Sequence, residues 1–522
     1  VLLIQESAWE VTSQMNADNS FATDILNENN FEKIPAEKFK FAHAENFSSA
    51  ENVFSKKPRG YFADAMLRFV TNRGSVVCFF IIILLVLYAI FAPLFSGYKI
   101  SDRDGYYAYA SPKCALFVPL GFWDGCETIE VNAITLDYLK AIPGAVVKYL
   151  GESEHTAAGR KRTWYKIKVD TYAKTGWVRM FLTDQEFKAA REWEKNSGIQ
   201  LFFPLIDESK VKNAVYKNDQ NAWFLTDARG YATKTAAGEL QNIFLKDGDF
   251  SALSDSSDGY AYSVSRMNDS QKEVRVLYSA WYLYKHGRNA SFLFGADNSG
   301  YDIFTRLAYG ARLSLLLSFV VAAINLFLGT VVGALEGYYG GAFDIIMERI
   351  KDILYEIPSV ILMTLFQLYF AKSLGPIVSM FVAFIFFGWI GTSSTVRAQF
   401  YRFKGQDYVL ASRTLGAGDA RLIFRHILPN SIGFIITASV LSIPAVIFSE
   451  ANLTYLGIVN LQSDTMTSVG TMLNSAQSAL SQHPHCVFFP AAFISVLLIC
   501  FNEFGNGLRD AFNPSLRGAA GE

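Results

Sequence analysis

Residues 406–430 read QDYVLASRTLGAGDARLIFRHILPN, and they decide how the rest of the chain is placed. The stretch is polar and basic, carrying Arg413, Arg421, Arg425 and His426, yet it lies between the apolar runs Val378–Ile390 and Ile432–Phe448. A basic loop between two membrane spans faces the cytoplasm. This loop also carries local order. Tyr408, Ala411 and Leu415 recur at helical spacing and give one apolar face. Gly416 is placed to end that helix, since glycine takes the left-handed C-terminal conformation without steric cost. Asp419 is expected to cap a second helix, which should break near Pro429. A helix–glycine–helix element is a folded knob, and a knob implies something to dock into.

Outward from the knob, the composition divides into two materials. Of 522 residues, 51% are hydrophobic and 18% charged. The apolar residues concentrate at 76–97 and 311–505, while 98–300 is mixed. That pattern predicts membrane spans joined to a water-soluble insert. The net charge of -1 gives no bulk attraction to nucleic acid, and none is expected as a partner. The chain opens on Val1 rather than Met, so residues preceding it are expected. Its first long apolar run begins near residue 76, too late for a cleaved signal peptide.

Residues 1–58 are polar and aperiodic and read as an irregular cytoplasmic arm. Residues 59–75 place Phe62, Met66, Phe69 and Val70 on one helical face. They read as an interfacial helix, or as the first turns of the next span. The first transmembrane helix lies within 76–97. Lys56, Lys57, Arg59, Arg68 and Arg73 precede it and place the N-terminus in the cytoplasm. Residues 98–300 then fall outside, where apolar stretches shrink to strand length, as in 163–172, TWYKIKVDTY, which alternates as a half-buried strand should. One helical segment, 184–198, interrupts them. A mostly β extracytoplasmic domain of about 200 residues is expected, its aromatics serving as core before ligand platform.

The region 301–505 returns to the membrane with five more spans. In the second, Gly329, Gly333, Gly337 and Gly341 form a stripe along which another helix can pack closely. The third is expected at Ile353–Phe370, the fourth at Pro376–Ser394 and the fifth at Ile432–Phe448, with the cytoplasmic loop 398–430 between the last two. Glu450–His485 has no Lys or Arg and belongs outside; the sixth span is Val487–Phe504, and 506–522 is a cytoplasmic tail with Arg509 and Arg517. The fold class is thus a polytopic helical membrane protein with six transmembrane helices, an insert between the first two and both termini cytoplasmic.

Catalytic signatures are missing. No GxxxxGK[ST] loop occurs, nor HExxH, nor GxSxG, so nucleotide, zinc-protease and α/β-hydrolase chemistry have no motif, and no enzyme activity or bound cofactor is expected of this chain. His483-Pro-His485-Cys486 reads as a helix-start turn before a metal site. Cys114 and Cys126 lie in the insert, where a disulfide and two unbridged thiols are both open readings. At membrane depth, Glu356, Gln367 and Asn325 are candidate path-lining groups, although Glu356 also fits the inner headgroup level. A receptor or scaffold merely anchored by its spans would need neither the glycine stripe nor the knob.

The knob resembles the EAA motif of bacterial ABC-importer permeases. Ala411-Ser412 and Gly416 match its Ala-Ala-x-x-x-Gly portion and Leu428-Pro429 its closing pair, while Leu410 and His426 depart from its Glu and Ile. Residues 295–316 (GADNSGYDIFTRLAYGARLSLL), 337–359 (GYYGGAFDIIMERIKDILYEIPS) and 501–518 (FNEFGNGLRDAFNPSLRG) resemble segments of the oligopeptide/dipeptide permease C subunit. KPRGYFADAMLRF is similar to the segment before the first span in Firmicutes-type members. The resemblance implies a type I permease fold in the cell membrane and an oligopeptide importer. It implies a homologous B-type permease as partner, with an extracytoplasmic peptide-binding protein and two ATPase subunits that hold the ATP and Mg. It assigns docking of the ATPase to Tyr408, Leu410, Ala411, Ser412, Arg413, Gly416, Ala417, Arg421 and Pro429. Nickel or another small solute is the alternative cargo.

Overall fold

The computed structural model describes residues 61–157, 160–203 and 271–512, with short pieces between 205 and 266. The 1–58 arm, Asn513 and Arg517 lie outside the described residues. The chain divides into two compact units, Val1–Asp64 and Ala65–Glu522, and everything beyond the first turn of α1 belongs to the second. Helix α1 (Tyr61–Thr71) is separate from the first span, α2 (Arg73–Phe95). Asn72 divides them: its side chain accepts from the Ser75 amide at 3.3 Å and starts the new helix. Met66 and Val70 of α1 are exposed. Phe69 is not part of that exposed stripe; it packs with Leu508 and Ala511.

Between α2 and the remaining spans sits the insert. Strands β1 (Cys126–Val131), β2 (Val146–Ala157) and β3 (Arg160–Asp170) form an antiparallel sheet in the order β1-β3-β2, with helix α3 (Ala133–Ala141) between β1 and β2. The alternation of 163–172 works as read. Ile167 and Val169 have no exposed surface, while Lys166 just before them is exposed and Lys168 between them is half-buried. A second sheet is built on β11 (Gln271–Leu277), paired along one edge with β4 (Trp177–Leu182) and along the other with β5 (Phe202–Phe203) and β10 (Val264–Arg266). Short pairs join β6 (Leu205–Ile206) to β9 (Tyr260–Ala261) and β7 (Ala214–Tyr216) to β8 (Trp223–Leu225). Helix α4 (Asp184–Ser197) opens with a reciprocal Thr183–Glu186 capping box and ends at Gly198 in the left-handed region. Helix α5 (Tyr278–His286) follows β11. The insert's aromatics are mostly core: Tyr107, Tyr172, Tyr278, Trp281, Tyr282 and Phe292 are buried together. Cys114 and Cys126 are both unbridged thiols, so no disulfide staples the insert. The Cys126 thiol is directed to the Asp124 carbonyl 3.8 Å away, and burial pushes its pKa up to about 11.

Helix α6 (Ile303–Tyr339) then runs 37 residues, starting a full two turns before the expected span. Asp302 caps it, accepting from the Thr305 amide at 3.0 Å, and burial pushes the Asp302 carboxyl up to about 6. The third span is not continuous. Helices α7 (Gly341–Glu356) and α8 (Ser359–Leu374) meet at an angle of 83°. Ile357 precedes Pro358 and is driven to extended geometry, because the proline ring excludes helical conformation there. Helix α9 (Pro376–Lys404) is the fourth span. The knob contributes α10 (Asp407–Thr414), the single turn α11 (Asp419–Arg421) and a π-helical stretch at Leu422–Ile427. Helix α12 (Leu428–Tyr455), the short α13 (Val469–Ala476) and α14 (His485–Phe512) complete the bundle. Among the described residues five helices are long and apolar enough to cross a membrane, and six if the bent α7–α8 pair is counted as one span.

The glycine stripe packs α6 against α9. A Cβ at Gly329 would meet the Ser393 amide at 2.9 Å, at Gly333 the Ser393 carbonyl at 2.3 Å, and at Gly337 the Arg397 carbonyl at 2.8 Å. Gly341 is no part of it. It lies beyond the end of α6 at φ +64°, with nothing near its absent side chain. Replacing Gly333 by Val should therefore destabilise the fold by about 1–3 kcal/mol or more, because the obstacle is backbone. Gly391→Ala, in open space on α9, should be neutral or slightly stabilising. Thermal unfolding of the detergent-purified chain checks both, and equal midpoints for the two variants would contradict the packing argument.

Candidate functional site: an intramembrane cavity and the knob at 406–430

Helices α6, α8, α9 and α12 surround a cavity of about 380 Å³. Its walls are Val360, Met363, Phe384, Phe387, Val446 and Leu453, and its polar groups are Asn325, Ser359, Ser442, Ser449 and Asn452. Of the three path candidates, Asn325 alone belongs here. Its Nδ2 donates to the Phe384 carbonyl at 3.3 Å, and its Oδ1 is buried without a partner. Gln367 is buried elsewhere, donating to the Pro376 carbonyl at 3.1 Å and closing the α8–α9 turn. Glu356 is exposed at the C-terminal end of α7, beside the break at Pro358, and is not part of the cavity wall. The missed groups carry no charge, so residue type did not announce them. The signal that could have found them is spacing: Ser442, Ser449 and Asn452 are seven and three apart, which is one face of α12.

The knob folds as the sequence indicates at its glycine. Gly416 sits at φ +85°; its amide reaches the Arg413 carbonyl at 3.0 Å and the Ala417 amide the Ser412 carbonyl at 3.0 Å. This is the paired-bond helix ending that a left-handed residue permits. The face of Tyr408, Ala411 and Leu415 is turned outward, with Leu415 89% exposed. Leu410 and Phe424 (68%) are exposed beside it, as are Arg421 and Pro429. Burial falls instead on Val409, Leu422, Ile423 and Ile427, which pack with Ala334, Tyr338, Val396, Phe400 and Ile435, Ala417 lying against the same cluster.

Two expectations for the knob change. Asp419 is the first residue of α11, not its cap; its carboxylate accepts from the Tyr338 hydroxyl at 2.6 Å. The second helix does not break at Pro429 but runs through it. The widened π turn just before the proline absorbs the lost amide and the ring's bulk, and Pro429 then falls in the first turn of α12. Ser412 bonds back to the Tyr408 carbonyl at 2.8 Å, and Arg413 donates to the Tyr338 hydroxyl at 3.2 Å.

Tyr338 therefore links the knob to α6, beside a network of buried charge. Glu336 has no exposed surface; Lys351 of α7 donates to it at 2.8 Å and Ser393 of α9 at 3.1 Å. Asp344 takes two bonds from the Arg397 guanidinium and one from Tyr401 at 2.7 Å. Lys404 donates to the carbonyls of Gly337 and Tyr338, each at 3.2 Å, at the negative end of the α6 dipole. Among the described residues no cluster of metal ligands occurs. His483 stacks on Tyr109 at 4.4 Å and the Cys486 thiol faces the Ala296 carbonyl, which is a packed helix start.

Comparison with known proteins joins this geometry to a family. Residues 308–518 match the family of binding-protein-dependent transport system inner membrane components. Residues 60–112 match the N-terminal TM domain of oligopeptide transport permease C. The oligopeptide transport system permease protein OppC of Bacillus subtilis is 42% identical over 224 residues, 43% of this chain and 72% of that protein. The chain belongs to the oligopeptide/dipeptide ABC permeases of the C type. The dipeptide permease DppC of Bacillus subtilis is 41% identical over 230 residues, 44% of this chain and 70% of its own. A chain from a methionine ABC transporter solved in inward-facing form shares 15% identity over 39% of this chain and 94% of its own, with a TM-score of 0.31, too weak a likeness to add to this. This permease is accordingly a multi-pass membrane protein, and neither family model covers residues 113–307, where both sheets of the insert lie.

Tyr338→Phe removes the hydroxyl shared by Asp419 and Arg413. It should cost about 0.5–1.5 kcal/mol of local stability. Amide hydrogen exchange should then quicken across 407–421 and stay unchanged in α14; a knob as protected as before would show that the tie is idle.

Proposed function

We propose that this permease is one half of the membrane path of an ATP-driven importer of oligopeptides. A homologous B-type permease closes the other side of the cavity, and two ATPase subunits dock on the knob at 406–430. The observation that carries the reading is the knob itself: a folded element with an apolar exposed surface, anchored on α6, α9 and α12, three of the four helices that line the cavity. ATP and Mg belong to the partner subunits, which supply the energy. This chain's own part is mechanical. Movement of the docked α10–α11 pair passes through Tyr338 and the Leu422–Ile427 core to the cavity walls, and rigid-body rocking alternates access.

Peptide as cargo rests on the curated relatives, which are oligopeptide and dipeptide permeases. The cavity chemistry agrees with it. Asn and Ser groups can pair with a peptide backbone, and the apolar wall tolerates varied side chains. On this reading the knob and both termini are cytoplasmic. The insert stands on the outer face, where a peptide-binding protein delivers cargo.

Gly416→Val forces a β-branched residue into a left-handed conformation, a strain of about 1–2 kcal/mol at the one position that shapes the knob. Peptide uptake by cells carrying this variant should be lost while its membrane level is unchanged; undiminished uptake would overturn coupling through the knob. Cargo is decided separately. Unlabelled peptides of several lengths should compete for uptake and nickel salts should not, whereas competition by nickel alone would assign the path to a small cation.

A further inference from the structure

The segment 115–123, ALFVPLGFW, carries no charge and holds several large apolar residues. Leu116 is 82% and Phe122 51% exposed, and Val118 is exposed beside them. The stem of this loop is pinned. The Cys114 amide donates to the Trp123 carbonyl at 2.8 Å, Lys113 pairs with Asp170 at 3.2 Å, and Asp124 pairs with Lys168. A short 3-10 turn at Val118–Leu120 ends at Gly121 with φ +81°, and Trp123 is held at φ 51°. A water-soluble loop has no reason to hold large apolar groups outward on so fixed a base.

The position of the loop says what covers it. Phe117 stacks on Phe122 at 5.0 Å, and Trp123 packs against both Phe294 and Phe489, 6.3 and 6.1 Å between ring centres. Phe489 lies in the first turns of α14, a membrane span, and its neighbour Phe488 is 63% exposed on the outer wall of that span. The apolar loop thus continues the lipid-facing surface of α14 at the level where the helix leaves the membrane. The cavity lies elsewhere, among α6, α8, α9 and α12. Aromatic and large aliphatic groups at that level partition into the boundary between headgroups and acyl chains.

We propose that residues 115–123 form a membrane-interface anchor: the loop lies in the headgroup–acyl boundary of the leaflet on the insert's side and fixes the insert's tilt over the bundle. The occupant is lipid. The proposal rests on the family's membrane placement and not on the cargo or on ATPase docking, so it stands or falls separately from them.

The test uses the complete transporter in liposomes. In a background with the native cysteines replaced, Leu116→Cys and Phe122→Cys, and Glu192→Cys on exposed α4 as reference, each carry an environment-sensitive fluorophore. Emission at 116 and 122 should shift to the blue. Lipids spin-labelled near the headgroup should quench it several-fold more than at 192, and aqueous iodide several-fold less. Labels at 116 and 122 as open to iodide as the label at 192 would overturn the proposal. So would protection from both quenchers, which would assign the surface to a partner chain. Since each label replaces a surface group, folding of the variants is confirmed by unaltered elution of the assembled transporter.

Discussion

The contact between α6 and α9 is the constraint on which the membrane region depends. It exists because Gly329, Gly333 and Gly337 leave no side chain between the two backbones. Only at that separation can Ser393 on α9 reach Glu336 on α6, and only then does the Lys404 ammonium reach the last carbonyls of α6. The same approach brings Ala334, Val396 and Phe400 together as the wall against which the knob's Val409, Leu422 and Ile427 pack. A buried carboxylate such as Glu336 is tolerated because Lys351 lies against it; removing either partner would strand a charge at low dielectric. Close packing and charge pairing are therefore one device here, not two.

Much of this was legible in the sequence where a single local rule governs. Period-two alternation in 163–172 placed Ile167 and Val169 inward, and the requirement for a left-handed residue placed Gly416. Apolar runs gave the spans, and shared residues gave the family. The illegible parts are those where two local rules compete or where tertiary partners decide. Pro429 argues for a helix break, but a π turn upstream settles the conflict without one. Pro358 argues for the same thing and wins, because Ile357 sits at the junction of two helices free to diverge. Asp419 has the composition of a cap, yet Tyr338 claims its carboxylate. Gly341 continues the spacing of the stripe after the helix carrying it has stopped. In the site, Asn325 was visible as a polar residue at depth, while the serines of α12 were hidden because a serine in a span usually satisfies itself on its own backbone.

The length of α6 has a mechanical consequence. At about 1.5 Å per residue it is roughly 55 Å long, against a hydrocarbon core of about 30 Å. It is a single unbroken rod from the Asp302 cap, where the chain leaves the insert, to Tyr339, beside the hydroxyl that holds the knob. Neither end can be tipped without displacing the other. A force applied at the insert and a force applied at the knob act on one lever, whose fulcrum is the glycine seam against α9.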